Sequence, residues 1–198
     1  SILCRLALGS EAIDAISFTT IRLVSGAITL SIIILVFRKN KSEMKGGNWL
    51  SAFFLFVYAI CFSLSYLNLT TATGALILFG SVQLTMICVA FIKGERPQIL
   101  EWMGLFLAFG GLVYLMFPNV SAPPIFYSIL MLTAGIAWGF YTLRGRGSEN
   151  PLSDTTGNFI RTVPMILLLA IPFLWKIDLS NKGIILAILS GSIASGIG

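Results

Sequence analysis

The chain has no histidine, and only 11% of its 198 residues are charged. The first absence removes the commonest metal ligand and the commonest general base. The second separates it from soluble domains, in which about a quarter of residues carry charge. Cysteine is sparse as well. Cys4, Cys61 and Cys88 stand far apart, each inside an apolar stretch, a spacing that fits neither a disulfide framework nor a metal site and reads as small buried apolar side chains. No nucleophile with a base and no carboxylate pair lies within an apolar segment, so neither an enzyme nor a cofactor is expected.

What the sequence does have is apolar length. It is 57% hydrophobic, with a mean hydropathy of +0.93, and its apolar runs are continuous rather than alternating, which makes them helices in a bilayer. The pattern predicts helices over 17–37, 49–67, 74–92, 100–117, 124–143 and 159–175, with a last one starting at 183. Before them "SILCRLAL" supplies about half a span by the usual length, and the chain stops at Gly198 within "GIILAILSGSIASGIG". The expectation is therefore a piece cut inside its first and last spans. A signal peptide is a poor reading of the start, which lacks a charged region before a long apolar core.

Arg38, Lys39, Lys41 and Lys45 share one loop, Lys93 and Arg96 the next but one, and Arg144 and Arg146 the next but one again. By the positive-inside rule these loops are cytoplasmic. They hold eight of the thirteen basic residues, so the net charge of +5 requires no nucleic-acid surface.

One phrase is written twice. "GSEAIDAISFTTIR" (9–22) returns as "GSENPLSDTTGNFIR" (147–161), and the Arg5–Arg22 pair recurs as Arg144–Arg161 at an offset of 139 residues. An odd number of helix starts lies between the copies, so the second unit enters the membrane from the opposite side. Inverted repeats of this kind occur in many secondary transporters, whose site at the interface of the two units is exposed to each side in turn. The helices that follow, "NWLSAFFLFVYAICFSLSY" and "NKGIILAILSGSIASGIG", correspond as well.

With "FTTIRLVSGAITLSIIILVFRK", "YLNLTTATGALILFG", "KGERPQILEWMGLFLAFGGLVYL" and "AGIAWGFYTLRGRG" in this order, the chain resembles the EamA family of the drug/metabolite transporter superfamily over nearly its whole length. The resemblance implies an all-α integral membrane protein of the bacterial inner membrane, with ten transmembrane helices in two inverted five-helix repeats. Residues 1–118 would be the first repeat, truncated at its start, and 119–198 the second, ending within helix 8. It implies a permease that exports a small polar metabolite, such as an amino acid or related compound. One departure is that "FGSVQLT" stands where many relatives carry a proline in helix 4.

The candidate substrate-binding residues are Arg22, Gln83, Trp138, Tyr58, Arg161 and Arg5. A guanidinium at Arg22 could face a cavity and pair with a carboxylate or phosphate; it could also snorkel, or pair with Glu11 or Asp14. Arg161 has the same two readings, with structural pairing near Asp154 the stronger, and Arg5 lies one turn before the first loop. Gln83 shares one quadrant of its helix with Thr73 and Gly80, which favours cavity lining over an interhelical hydrogen bond. Tyr58, Cys61 and Ser65 share a face of the third helix, and Trp138 and Tyr141 lie in the sixth, where a cavity competes with an interfacial belt. Gly135, Gly139, Gly104, Gly110 and Gly111 read as close-packing positions. Glu101 reads as interfacial, and Glu95 as part of a structural turn.

The leading function is thus a carrier working by alternating access, with a small-molecule substrate and the lipid bilayer as partners and a homodimer as an open assembly. The alternative is a non-transporting membrane subunit or scaffold.

Overall fold

The computed structural model describes residues 2–9, 12–37, 46–94, 98–116, 123–176 and 180–194. They form α1 (Ile2–Leu8), α2 (Ala15–Phe37), α3 (Trp49–Ser65), α4 (Thr71–Ile92), α5 (Ile99–Met116), α6 (Ile125–Gly145), α7 (Pro151–Ala170) and α8 (Asn181–Ser192), with a 3-10 turn at Ile171–Lys176 continuing α7. Among the described residues four helical segments are long and apolar enough to cross a membrane: Ala15–Val36, Thr71–Ile92, Ile125–Gly145 and Pro151–Phe173. Trp49–Ser65 is a shorter apolar helix. Large apolar side chains such as Ile28, Ile32, Leu35 and Val36 face outward, as they do where hydrocarbon and not water surrounds the bundle.

The starts of α2, α3, α4 and α8 are fixed by polar caps. Asn48 Oδ1 accepts from Ser51 N at 2.8 Å, Thr70 Oγ1 from Thr73 N at 3.3 Å and Ser180 Oγ from Gly183 N at 3.0 Å. Asp14 Oδ1 accepts from Ile16 N at 3.1 Å and Ser17 N at 2.9 Å, which closes the first turn of α2.

α7 begins at Pro151, eight residues before the expected start at 159. Proline suits the first helical position because its missing N–H has no partner there. The polar residues that read as loop, Ser153, Thr156 and Asn158, are buried, and the start of α3 docks against them. Gly47 N donates to Asp154 Oδ1 at 2.8 Å and Asn48 N to Asn158 Oδ1 at 2.9 Å. Gly47 adopts a positive φ of 78°, and a Cβ there would meet Asn158 N at 2.7 Å, so the turn needs glycine twice over.

α2 packs on α7 and α8, α3 on α6 and α7, α4 on α6, and α1 on α8. The starts of α3 and α7 and the end of α6 meet at one end of the bundle, where Arg144 lies; we call it the basic end. One apolar cluster, with Cys4, Phe18, Phe62, Tyr66 and Met131, fills the opposite end. A second, with Leu23, Leu30, Leu55, Phe159 and Ile166, fills the space among α2, α3 and α7.

Candidate functional site

Arg22 is the eighth residue of α2, about 10 Å along it at 1.5 Å per residue. Its guanidinium carbon lies 5.7 Å from the ring centre of Tyr58 and 5.3 Å from that of Phe62, within the range of cation–π attraction. Asp14, one alternative partner, has its Oδ1 engaged in the α2 cap; Glu11 lies outside the described residues. Tyr58, Phe62 and Tyr66 follow the i, i+4, i+8 spacing that keeps side chains on one helix face. Their rings touch in sequence, with centroids 5.3 Å and 4.8 Å apart. Tyr58 then meets Trp138 of α6 at 4.6 Å, and Trp138 meets Tyr141 at 5.4 Å. A ladder of five rings thus runs from the end of α3 toward the basic end of α6.

Three cavities lie along this ladder. The central one, about 370 Å³, is lined by Arg22, Leu55, Tyr58, Trp138, Thr155 and Phe159 among others. On one side the Tyr58–Trp138 contact divides it from a cavity of about 280 Å³ bounded by Phe62, Tyr66, Leu78 and Val82. On the other, Tyr141 and Thr155 are shared with a polar cavity of about 220 Å³ at the basic end. The central wall therefore offers one fixed cation, two phenols and an indole: groups that can hold an anionic head against Arg22 and an apolar or cationic portion against the rings.

Of the six candidate residues, Arg22, Tyr58 and Trp138 come together on this wall. Arg161 instead donates to the carbonyls of Gly46 and Gly157, both at 2.9 Å. It pairs with backbone, not with Asp154, and ties α7 to the approach of α3. Arg5 donates to the carbonyls of Tyr66 at 2.8 Å and Leu67 at 3.2 Å, tying α1 to the turn that follows α3. Gln83 is exposed on α4 and lines none of the three cavities; the quadrant it shares with Thr73 and Gly80 turns from buried to open along the helix. Cys61 and Ser65 face packing, Ser65 Oγ donating to Cys61 O at 2.6 Å. Phe62 and Thr155 escaped the sequence reading. The one sequence signal for Phe62 is its spacing from Tyr58, and Thr155 lies in a stretch polar enough to read as loop. Glu95 lies outside the described residues. Among the described residues no cluster of His, Cys, Asp and Glu could hold a metal ion.

Residues 2–117 match the model of the EamA-like transporter family. An uncharacterized protein of Pseudomonas aeruginosa is 46% identical over 198 residues, all of this chain and 69% of the relative. An uncharacterized transporter of Archaeoglobus fulgidus is 29% identical over 117 residues, 54% of this chain and 40% of that protein. No solved structure matches the chain.

Proposed function

Because the chain belongs to the EamA-like transporter family and is a multi-pass membrane protein, we propose that it is a secondary carrier of the bacterial inner membrane that exports a small polar metabolite, such as an amino acid or related compound. The observation that carries this reading is the Arg22 guanidinium beside the rings of Tyr58 and Phe62 on the wall of a cavity within the bundle. A charge within a transmembrane segment is costly to keep there and marks a substrate or ion path.

Alternating access by two inverted repeats, 1–118 and 119–198, is the proposed mechanism. The helix packing supports it. Exchanging α1, α2 and α3 for α6, α7 and α8 converts the α3–α6 contact into α8–α1 and the α2–α8 contact into α7–α3, while α2–α7 maps onto itself; all five packings are present. The polar ties follow suit. The start of α3 docks on the start of α7 through Gly47 and Asn48, and the start of α8 docks before α2, where Ser180 N and Oγ both donate to Ala12 O, at 3.0 and 2.6 Å. Rocking of these pairs about the Arg22 cavity would expose it to each side in turn.

The test is flux of amino acids, nucleosides and sugars in proteoliposomes of the full-length protein, beside Arg22→Gln. Saturable flux is expected, with a loss of at least about tenfold in the variant if one charge-assisted contact of about 1.5 kcal/mol or more disappears. Absence of flux for every compound with folded protein, or undiminished flux in the variant, would sink the reading.

A further inference from the structure

The polar cavity at the basic end carries chemistry that the Arg22 site does not use. Its wall holds a guanidinium, Arg144, and a carboxylate, Asp154. Both are fixed by neutral partners. Arg144 Nε donates to Ser51 Oγ at 3.1 Å and an Nη to Asn48 Oδ1 at 3.4 Å. Asp154 Oδ1 accepts from Gly47 N at 2.8 Å, and Oδ2 accepts from the Ser148 hydroxyl. Among the described residues no ion pair joins Arg144 to Asp154, although they line one cavity of about 220 Å³. Opposite charges held apart across so small a space favour a ligand that carries both signs. A simple anion gains from Arg144 but meets the field of Asp154, and a simple cation meets the reverse.

The central cavity differs: Arg22 lines it, and among the described residues no carboxylate does. The two cavities meet at Tyr141 and Thr155. We propose that the basic-end cavity is a second binding site, a waiting station for a zwitterionic amino acid on its way to Arg22. There the ammonium faces Asp154 and the carboxylate faces Arg144. On passing Tyr141 and Thr155 the carboxylate moves to Arg22, and the ammonium exchanges Asp154 for the faces of Tyr58, Trp138 and Tyr141, which attract cations. The assignment rests on the carrier reading and adds to it a site, a substrate charge type and an order of contacts.

The experiment is equilibrium binding to the full-length protein in nanodiscs, using as probe the labelled standard amino acid that the wild-type protein transports fastest. The expected result is two molecules bound per chain. Asp154→Asn, which keeps an oxygen acceptor for Gly47 N, and Arg144→Gln should each leave one; Arg144→Lys, which keeps the charge, should leave two. Arg22→Gln should abolish the other site. The decarboxylated amine and the deaminated acid of the probe should each displace the Arg144-dependent molecule at least about tenfold less well than the amino acid, the factor that about 1.4 kcal/mol supplies. A single bound molecule in wild type, two molecules surviving in both Asp154→Asn and Arg144→Gln, or equal displacement by the deaminated acid would overturn the waiting station while leaving the carrier intact. Flux confined to compounds that are not amino acids would overturn it too. Absence of all flux would remove the carrier reading and the station with it.

Discussion

Gly135 and Gly111 are both helical glycines read from sequence as packing positions, and the structure predicts opposite responses to alanine. A Cβ on Gly135 would lie 2.4 Å from Ser81 Cβ and 2.8 Å from Leu78 O, both on α4. Comfortable carbon contacts lie near 3.5 to 4.0 Å, so α4 and α6 would have to separate by about 1 Å. Leu78 O is backbone and cannot rotate away. Overpacking of this kind costs about 1–3 kcal/mol, and relief of glycine's backbone entropy returns about 0.5–1 kcal/mol. The net expectation for Gly135→Ala is a loss of up to about 2.5 kcal/mol. A Cβ on Gly111 of α5 would meet nothing within 4 Å among the described residues, so only the entropy contribution remains and Gly111→Ala should gain up to about 1 kcal/mol. Ser81→Gly combined with Gly135→Ala removes the shorter contact and should recover part of the loss. Reversible unfolding in mixed detergent micelles, followed by tryptophan fluorescence, measures all three. Equal stability of the two alanine variants would refute the packing argument.

Two further outcomes follow from where the structure places the other candidate residues. Arg161→Gln should lower stability by about 1.5–3 kcal/mol through the contacts to Gly46 O and Gly157 O, with substrate affinity retained; loss of affinity at unchanged stability would return Arg161 to the substrate path. Gln83→Cys, in a background lacking Cys4, Cys61 and Cys88, should react with thiol reagents at the same rate with and without substrate, because Gln83 is exposed and lines none of the three cavities. Protection by substrate would put it back on a cavity wall.

The helices were legible because a bilayer demands apolar length, and α2 to α6 begin and end within three residues of the sequence reading. α7 failed for a reason that also explains the missed site residues. "PLSDTTGN" is too polar to face lipid, and hydropathy alone turns it into loop. Its polar side chains are buried against the approach of α3, a partner 107 residues away along the chain that no local pattern reveals. The glycines divide in the same way. Gly135 and Gly139 meet Ser81 and Thr85 of α4, whereas Gly104, Gly110 and Gly111 meet nothing within 4 Å among the described residues. Composition gave both groups one meaning, and only the neighbouring helix separates them.

On the proposed inverted repeat, Arg22 and Arg161 are one residue written twice and put to different work. Arg22 is the eighth residue of α2 and Arg161 the eleventh of α7, so at about 100° per residue they point some 60° apart relative to their helix starts. More decisive is what each meets. α3 brings the rings of Tyr58 and Phe62 beside Arg22, whereas α7 meets the carbonyl of Gly46 in the turn ahead of α3, and Arg161 is drawn to it. The packings that cross between α1–α3 and α6–α8 have their exchange partners, whereas α2 packs on α3 without a matching α7–α8 packing among the described residues, and the central cavity is lined by Arg22 and not by Arg161. An inverted repeat can therefore make the two open states of the proposed carrier alike in packing without making the site symmetric. On that mechanism the anionic end of the substrate pairs with α2 whenever the central cavity is occupied, whichever side is open, and the two sides of the membrane differ in what the substrate must pass. On the basic side that is a polar chamber carrying both charges, and on the other a cavity walled by Phe62, Tyr66, Leu78 and Val82.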